Sequence, residues 1–206
     1  MALSCKLANN ILKNDSCGYM LQSVVDIYLI NKADVSAITI NNDTEVSAIT
    51  LVGDAKDYHI EPAKNSASFS DALAITDVSK YRTHTLAFSV NNTYNASMVE
   101  AIHALSLGEF VAVAKMANGT FIMLGNQHIG LAATVVVNNG AASATEASGV
   151  QVELSCDIDI EALPLADEAE EAFLAQVSDG TASASAQSED GDGGNGGNSG
   201  TGSNPL

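Results

Sequence analysis

The stretch "FVAVAKMANGTFIML", residues 110–124, decides the fold. Two short apolar runs flank the pair Asn118-Gly119, which favours a tight type I′ turn between antiparallel strands. Because nearly every position of both runs is apolar or small, rather than every second position, both strands are predicted to be largely buried. We therefore expect a buried β-hairpin in the core of the protein.

Strands with one buried face are predicted elsewhere in the chain. Residues 24–30 and 84–90 alternate between apolar and polar side chains, which is the period of a half-buried strand. The side chains predicted to share a face are Val25, Ile27 and Leu29 in the first segment and His84, Leu86, Phe88 and Val90 in the second. Two further hairpins are expected, one around "NNDT" at residues 41–44 and one that joins residues 131–137 to residues 149–161.

Two segments depart from the strand pattern. In "NASMVEAIHALSLG", Met98, Ile102 and Leu105 recur at helical spacing. A shorter acidic segment at residues 166–177 predicts a second helix of about three turns, which is marginal unless it docks on the rest of the fold. Strands and helices do not alternate along the chain, so a doubly wound nucleotide-binding sheet is not expected. The predicted fold class is mainly β, a two-sheet β-sandwich or barrel with one flanking α-helix.

The charge is concentrated in the second half of the chain. The 206 residues include 8 Lys and Arg against 25 Asp and Glu, a net charge of −17. Residues 1–115 hold all 8 basic side chains and 12 acidic ones, whereas residues 116–206 hold 13 acidic side chains and no Lys or Arg. Because binding of nucleic-acid phosphates needs clustered cations, this balance argues against a nucleic-acid-binding protein.

The composition divides the chain into three segments. From residue 178 onward the sequence is rich in Gly, Ser and Asn and contains one large aliphatic residue, Leu206. Such a segment buries too little apolar surface to offset its ordering entropy, so a flexible tail is predicted there. The predicted organisation is a β domain at residues 1–165, a short acidic helical segment at 166–177 and a flexible tail at 178–206.

The best-defined polar feature is the last predicted strand. Its alternate positions include four carboxylates, and period-two geometry places them on one face. They are Glu153, Asp157, Asp159 and Glu161. Three interpretations stay open: a solvated outer face, an acidic lining of a cavity or channel, and a divalent cation site, which would need oxygen ligands from several further segments.

No motif in the sequence indicates an enzyme, a cofactor or a membrane anchor. The chain has no nucleophile elbow, phosphate loop or dinucleotide-binding motif, and its histidines lack metal-ligand spacing. His84 and His103 are expected to pack rather than to bind a metal. Cys5, Cys17 and Cys156 form no C-x-x-C pair and are expected to be free thiols. Without a signal peptide or a run of about 20 apolar residues, synthesis in the cytoplasm is expected.

The order of these segments resembles the tail tube proteins of tailed bacteriophages, of the type found in phages of gut Bacteroidetes. The resemblance covers about residues 1–165. It rests on the opening "DSCGYMLQSVVDIYLINKADVSAITI", the strand "THTLAFSVNN", the helix that runs into "ALSLGEFVAVAKMANGTFIMLG", and the closing "GLAATVVVNNGAASATEASGVQVELSC" with "ALPL". These are patterns of fold rather than signatures of catalysis.

The resemblance implies a virion structural protein, most simply a tail tube subunit. Such subunits form stacked, commonly hexameric rings around a channel that conducts DNA as a passing cargo, and they contact other tail or connector proteins. The resemblance also implies an acidic lumen, a role that the four carboxylates would fill. Alternatives are a connector, collar or tail-terminator ring protein, and a head-decoration or host-binding β-sandwich module.

Ring stacking in this family uses a long loop or hairpin, and residues 53–80 are the candidate. Together with Arg82 this polar stretch carries four of the eight basic side chains. They are Lys56, Lys64, Lys80 and Arg82, and they are expected to meet acids of the next ring. The alternative is an ordinary surface excursion that contains one or two short strands.

Overall fold

Strands make up most of the structure, a computed structural model that describes residues 23–91, 95–140 and 149–176. The prediction of a mainly β fold is confirmed. The strands are β1 (Val24–Asn31), β2 (Val35–Asn41), β3 (Glu45–Leu51), β4 (Tyr58–Ile60), β5 (Ser68–Ile75), β6 (Lys80–Val90), β7 (Glu109–Met116), β8 (Phe121–Leu124), β9 (Leu131–Asn139), β10 (Gly149–Ile158) and β11 (Leu163–Pro164). The helices are α1 (Ala96–Leu107) and α2 (Asp167–Gln176).

The strands form one large antiparallel sheet and one hairpin. The large sheet has nine strands in the order β11-β8-β7-β9-β10-β6-β5, and β1 pairs with the other edge of β7 and in turn with β4. Strand β7 contacts β9 only through Glu109 and Phe110, whereas it pairs with β1 along most of its length. The second sheet is the β2–β3 hairpin.

The large sheet bends so that two of its parts enclose a first core. Ile27 and Leu29 of β1 and Ala112 of β7 belong to the same buried cluster as Leu86 of β6 and Leu154 of β10. Helix α1 packs against this cluster through the three apolar residues that its spacing predicted, which are Met98, Ile102 and Leu105. The arrangement is the predicted β-sandwich with a flanking helix.

A second core lies on the opposite face of β1 and β7. Tyr28 of β1 and Val113 of β7 belong to this second core. They pack with the β2–β3 hairpin and with α2. The β2–β3 hairpin was predicted, and its loop has left-handed backbone at Asn42 and Asp43, two residue types that tolerate that conformation. Strand β7 is consequently buried on both faces, as its continuous apolar run indicated.

The turn of the central hairpin differs from the predicted type I′ turn. The amide of Gly119 donates to the carbonyl of Met116, and the amide of Met116 donates to the carbonyl of Thr120. Gly119 alone has a positive φ, 94°, so Asn118 does not adopt the second left-handed position that a type I′ turn requires. The loop therefore has three residues, with a left-handed glycine at its end.

The prediction that Val25 shares a face with Ile27 and Leu29 is wrong. The pairing of β1 with β7 shifts between Val24 and Asp26, which marks a β-bulge. The bulge places Val24 in the first core and leaves Val25 exposed. A bulge adds one residue to one strand, so a strict period of two fails at that point.

The helices begin and end near their predicted positions. The side chain of Asn95 accepts a hydrogen bond from the amide of Met98 and so caps α1. His103 of α1 is exposed, so the prediction that it packs is wrong, whereas His84 is fully buried as predicted. The predicted tail at 178–206 lies outside the described residues, as do Cys5 and Cys17. No helix among the described residues is long and apolar enough to cross a membrane.

Helix α2 docks through two buried residues, Ala169 and Phe173. Phe173 is 2% exposed and makes edge-on contacts with Tyr28 and Phe121, whose ring centroids lie 5.5 and 6.5 Å from its own. A carboxylate oxygen of Glu170 accepts a hydrogen bond from the amide of Phe121. These contacts stabilise a helix that would be marginal alone.

Replacing this aromatic anchor should destabilise the protein. Phe173→Ala removes a buried aromatic ring and is expected to lower the free energy of unfolding by about 3–5 kcal/mol. The matched control is Leu174→Ala, because Leu174 is the exposed neighbour on the same helix and should change the free energy by less than about 0.5 kcal/mol. Urea unfolding measures both variants, and equal midpoints would show that α2 adds nothing to the fold.

Candidate functional site

The candidate site begins with the outward face of four neighbouring strands, β9, β10, β6 and β5. Their inward side chains, such as Leu86 and Leu154, belong to the first core, so the alternate residues form the opposite face. We call this set of residues the outward face. It consists of Ala132, Val135, Val137, Gln151, Glu153, Ser155, Asp157, Tyr81, Thr83, Thr85, Ala87, Ser89, Ser68, Ser70, Ala72 and Ala74.

The outward face is small, polar and free of cations within these described strands. Most of its side chains are Ala, Ser or Thr, and its only charged members are Glu153 and Asp157. Both basic residues of β6, Lys80 and Arg82, occupy alternate positions on the other side of the strand. The face therefore has a net negative charge.

The four predicted carboxylates do not lie on one strand. Glu153 and Asp157 belong to the outward face of β10, but the strand ends at Ile158, so Asp159 and Glu161 follow it. Threonines of the adjacent strands donate hydrogen bonds to Glu153 and Asp157. The hydroxyl of Thr83 donates to Asp157 Oδ1 at 2.7 Å, and that of Thr134 donates to Glu153 Oε1 at 3.2 Å.

The four predicted cations are separated as well. Lys56 precedes β4 and Lys64 follows it, near the end of β6, because the amide of Ala63 donates to the carbonyl of Ser89. Lys80 and Arg82 lie at the opposite end, where β6 begins. Residues 53–80 are therefore not one loop, since they include β4 and β5.

The β5–β6 hairpin extends past the core as an arm. We use "the arm" for residues 74–81, which lie beyond Arg82, the last residue of β6 that pairs with β10. A tight turn closes the arm: the amide of Thr76 donates to the carbonyl of Ser79, and the amide of Ser79 donates to Thr76 Oγ1. This hairpin was not predicted, although "SFSDALAI" alternates and precedes a turn.

Asp71 fastens the base of the arm to the protein. Its Oδ1 accepts a hydrogen bond from Arg82 Nε at 2.7 Å, and its Oδ2 accepts one from the amide of Ala162 at 3.0 Å. His84 Nε2 lies 3.6 Å from Asp71 Oδ1. Burial raises the pKa of Asp71, but these hydrogen bonds and the nearby charges outweigh it and hold the pKa below its ordinary value.

His84 connects the same cluster to the loop after β8. Its Nδ1 accepts a hydrogen bond from the amide of Gly125 at 3.1 Å, so in the neutral ring the hydrogen is on Nε2, toward Asp71. The side chain is fully buried. Burial lowers the pKa of His84 below 6.5, and the charge of Asp71 opposes this only in part.

Cys156 is the neighbour of His84 across the β6–β10 pair. Burial, with the charge of Asp157, raises the pKa of this thiol to about 11. It is free, as predicted. A thiol with so high a pKa is protonated near neutral pH and is a poor nucleophile or metal ligand. Within the described part of the chain, no group of three or more His, Cys, Asp and Glu side chains is placed to hold a metal ion.

An apolar groove lies at the end of β6 that is remote from the arm. Its volume is about 540 Å³. Its floor is formed by core residues of β6 and β10, namely Phe88, Val150 and Val152, and one wall is α1. The lining also includes the polar or charged residues His59, Glu61 and Asn91.

The buried cluster predicts that the protein loses stability in mild acid. The folded-state pKa of His84 is below the value of 6.5 in the unfolded chain, so the unfolded state binds more protons once the pH falls below about 6.5. Stability present above that pH should then decrease by at most about 1.4 kcal/mol per pH unit for this group.

Two variants test whether His84 causes this pH dependence of stability. In His84→Asn the side-chain oxygen can still accept from Gly125 but does not titrate, so the slope between pH 6.5 and 4.5 should flatten. His103→Gln, at an exposed histidine, should retain the wild-type slope. Urea unfolding at several pH values measures this, and an unchanged slope in His84→Asn would contradict the assignment.

Comparison with known proteins identifies no relative. No protein-family model matches the chain, and neither a curated protein nor a solved structure does. The function must therefore be argued from the outward face, the arm and the groove.

Proposed function

We propose that this protein is a structural subunit of a phage tail tube, which forms stacked homo-oligomeric rings around a channel that conducts DNA. The observation that carries the proposal is the outward face, where mostly small side chains and two carboxylates cover four adjacent strands without a cation. The proposal places the protein in the virion tail, next to other tail or connector proteins.

The composition of the outward face suits a channel wall that DNA must pass without adhering. Lys and Arg would bind phosphates, and they are absent from the face. Glu153 and Asp157 repel phosphates, and a ring repeats them around its axis. Most of the remaining side chains are Ser, Thr and Ala, and Tyr81 is the one aromatic side chain of the set on which a base could stack.

The free edge of the sheet supports assembly with further copies. Strand β5 is the last strand of the sheet among the described residues and pairs there only with β6. An open edge offers backbone donors and acceptors to another strand, and proteins either protect such edges or use them in assembly. Ring closure by neighbouring subunits would pair these edges.

The proposal predicts assembly of the purified protein. At high concentration, negative-stain electron microscopy should show rings or tubes with a central channel, and sedimentation should show species far larger than a monomer of 21.2 kDa. A protein that stays monomeric at every salt concentration and pH tested would refute the proposal.

Charge reversal on the outward face should make the assembly retain DNA. We expect that wild-type rings do not bind double-stranded DNA, whereas Glu153→Lys combined with Asp157→Lys binds it with an affinity that falls steeply with salt. The control combines Thr39→Lys with Thr50→Lys, at exposed positions of the β2–β3 hairpin, which changes the net charge by two rather than four units.

Co-sedimentation of DNA with assembled particles measures the difference. Because the total charge change is unequal, Asp157→Lys alone is compared with the control at matched charge. Equal DNA retention by Asp157→Lys and the control would show that the outward face does not line the channel.

A further inference from the structure

The loop between β8 and β9, residues 125–130, begins with a hydrogen bond to a buried imidazole. The amide of Gly125 donates to Nδ1 of His84 at 3.1 Å, and the His84 side chain is fully buried. This bond exists only while Nδ1 carries no proton, because a protonated imidazole is a donor at both ring nitrogens. The attachment of the loop to β6 therefore requires a neutral His84.

A second imidazole in the same loop is also a hydrogen-bond acceptor. The amide of Ile38 in β2 donates to Oε1 of Gln127 at 3.1 Å. A backbone amide can only donate, so the Gln127 atom that it contacts is the side-chain oxygen, and the other end is the NH2 group. That group lies 3.0 Å from Nε2 of His128. Nε2 of His128 must then accept and carry no proton.

Residues 125–130 connect the large sheet to the β2–β3 hairpin through these bonds. The start of the loop is attached to β6 through His84, and Gln127 attaches its middle to Ile38 of the hairpin. Between the two points, Oδ1 of Asn126 accepts from the amides of residues 128 and 129, which closes the loop into one turn. A change at either imidazole therefore alters the contact between the two sheets.

We propose that this loop is a pH-responsive latch, which is closed while His84 and His128 are neutral and opens when they bind protons. We use "the latch" for residues 125–130 together with His84. A proton on Nδ1 of His84 would point at the amide of Gly125, and two donors that face each other in a buried position are both left without an acceptor. The groups of the latch belong to one copy, so its opening does not depend on the assembly proposed above.

Ionisable groups around His84 determine which of its contacts survives protonation. Among the described residues they are Asp71, Arg82, Cys156 and Glu161. Nε2 of His84 lies 3.6 Å from Oδ1 of Asp71, so a protonated ring is attracted to Asp71 while its Nδ1 hydrogen repels the amide of Gly125. Burial lowers the pKa of His84, and Asp71 opposes this only in part, so the ring is neutral near pH 7.

His128 is the exposed imidazole of the latch. Within residues 23–91, 95–140 and 149–176 it takes part in no ion pair, and its side chain bonds to Gln127. A proton on its Nε2 would end that bond and release the side chain that accepts from Ile38. Acid therefore acts in the same direction at both imidazoles, because it removes a hydrogen-bond acceptor at each.

Native-state amide hydrogen exchange of the full chain tests the latch. Exchange at Gly125 and Ile38 is followed at about pH 7.5 and about pH 5.5, on either side of the ordinary histidine pKa, at several low urea concentrations and with correction for the intrinsic exchange rate. Exchange through local opening does not depend on urea, whereas exchange through global unfolding does. At Gly125 we expect a urea-independent opening that becomes about tenfold more populated at the lower pH, as linkage predicts about one pH unit below the ordinary histidine pKa. The amide of Ile38 should change in the same direction.

Controls come from the hairpin itself and from three variants. The amide of Ala166 donates to the carbonyl of Val46 and so holds the same hairpin without an imidazole, and its local protection should not depend on pH. His84→Asn combined with His128→Gln keeps an acceptor oxygen at each position but no titrating group, so this double variant should open equally at both pH values. His103→Gln, at the exposed histidine of α1, should respond as the wild type does.

Three results would overturn the latch. The first is equal local opening of wild-type Gly125 and Ile38 at the two pH values, or exchange of these amides only through urea-dependent unfolding. The second is an equal increase in local opening at Ala166, since acid would then loosen the whole hairpin. The third is a folded double variant that responds to pH as the wild type does. The wild-type measurement needs no substitution, so it decides the matter even if His84→Asn does not fold.

Discussion

The burial of β1 and β7 on both faces is the constraint on which the rest of the structure depends. Side chains that alternate along these two strands belong to two different cores, with Ile27 and Ala112 on one side and Tyr28 and Val113 on the other. A layer buried on both sides needs a cover on each, and the bent part of the large sheet supplies one cover while the β2–β3 hairpin and α2 supply the other. The outer faces of these two covers are therefore the faces exposed to solvent.

The proposed functional surfaces follow from that layering. Strands β9, β10, β6 and β5 have one face in the first core, so their other face is the outward face, which we propose lines the channel. The β5–β6 hairpin extends beyond Arg82, the last residue of β6 that pairs with β10, and this extension is the arm. The first core also ends beside α1, where the apolar groove is found. The arm and the groove lie at opposite ends of β6.

Much of the fold was predictable from local patterns, and the failures have physical causes. The continuous apolar run of β7 and the alternation in β6 each reflect a short-range rule, and each prediction is confirmed. Val25 was assigned to the wrong face because the position of a bulge depends on the partner strand. The wrong turn type was predicted at Asn118 because the register of the two strands sets the length of the loop. The candidate sites were less predictable. Pairing of β5 with β6 joins Asp71 to Arg82 and separates Lys64 from Lys80, and no sequence spacing contains that long-range information.

The central claim is that the outward face lines a channel, and a reconstruction of the assembled protein at side-chain resolution tests it most directly. The account predicts closed rings in which Glu153 and Asp157 point toward the central axis, with β5 of each subunit beside a neighbouring subunit. Rings in which these two carboxylates point toward the exterior, or a particle in which this chain surrounds no channel, would contradict it.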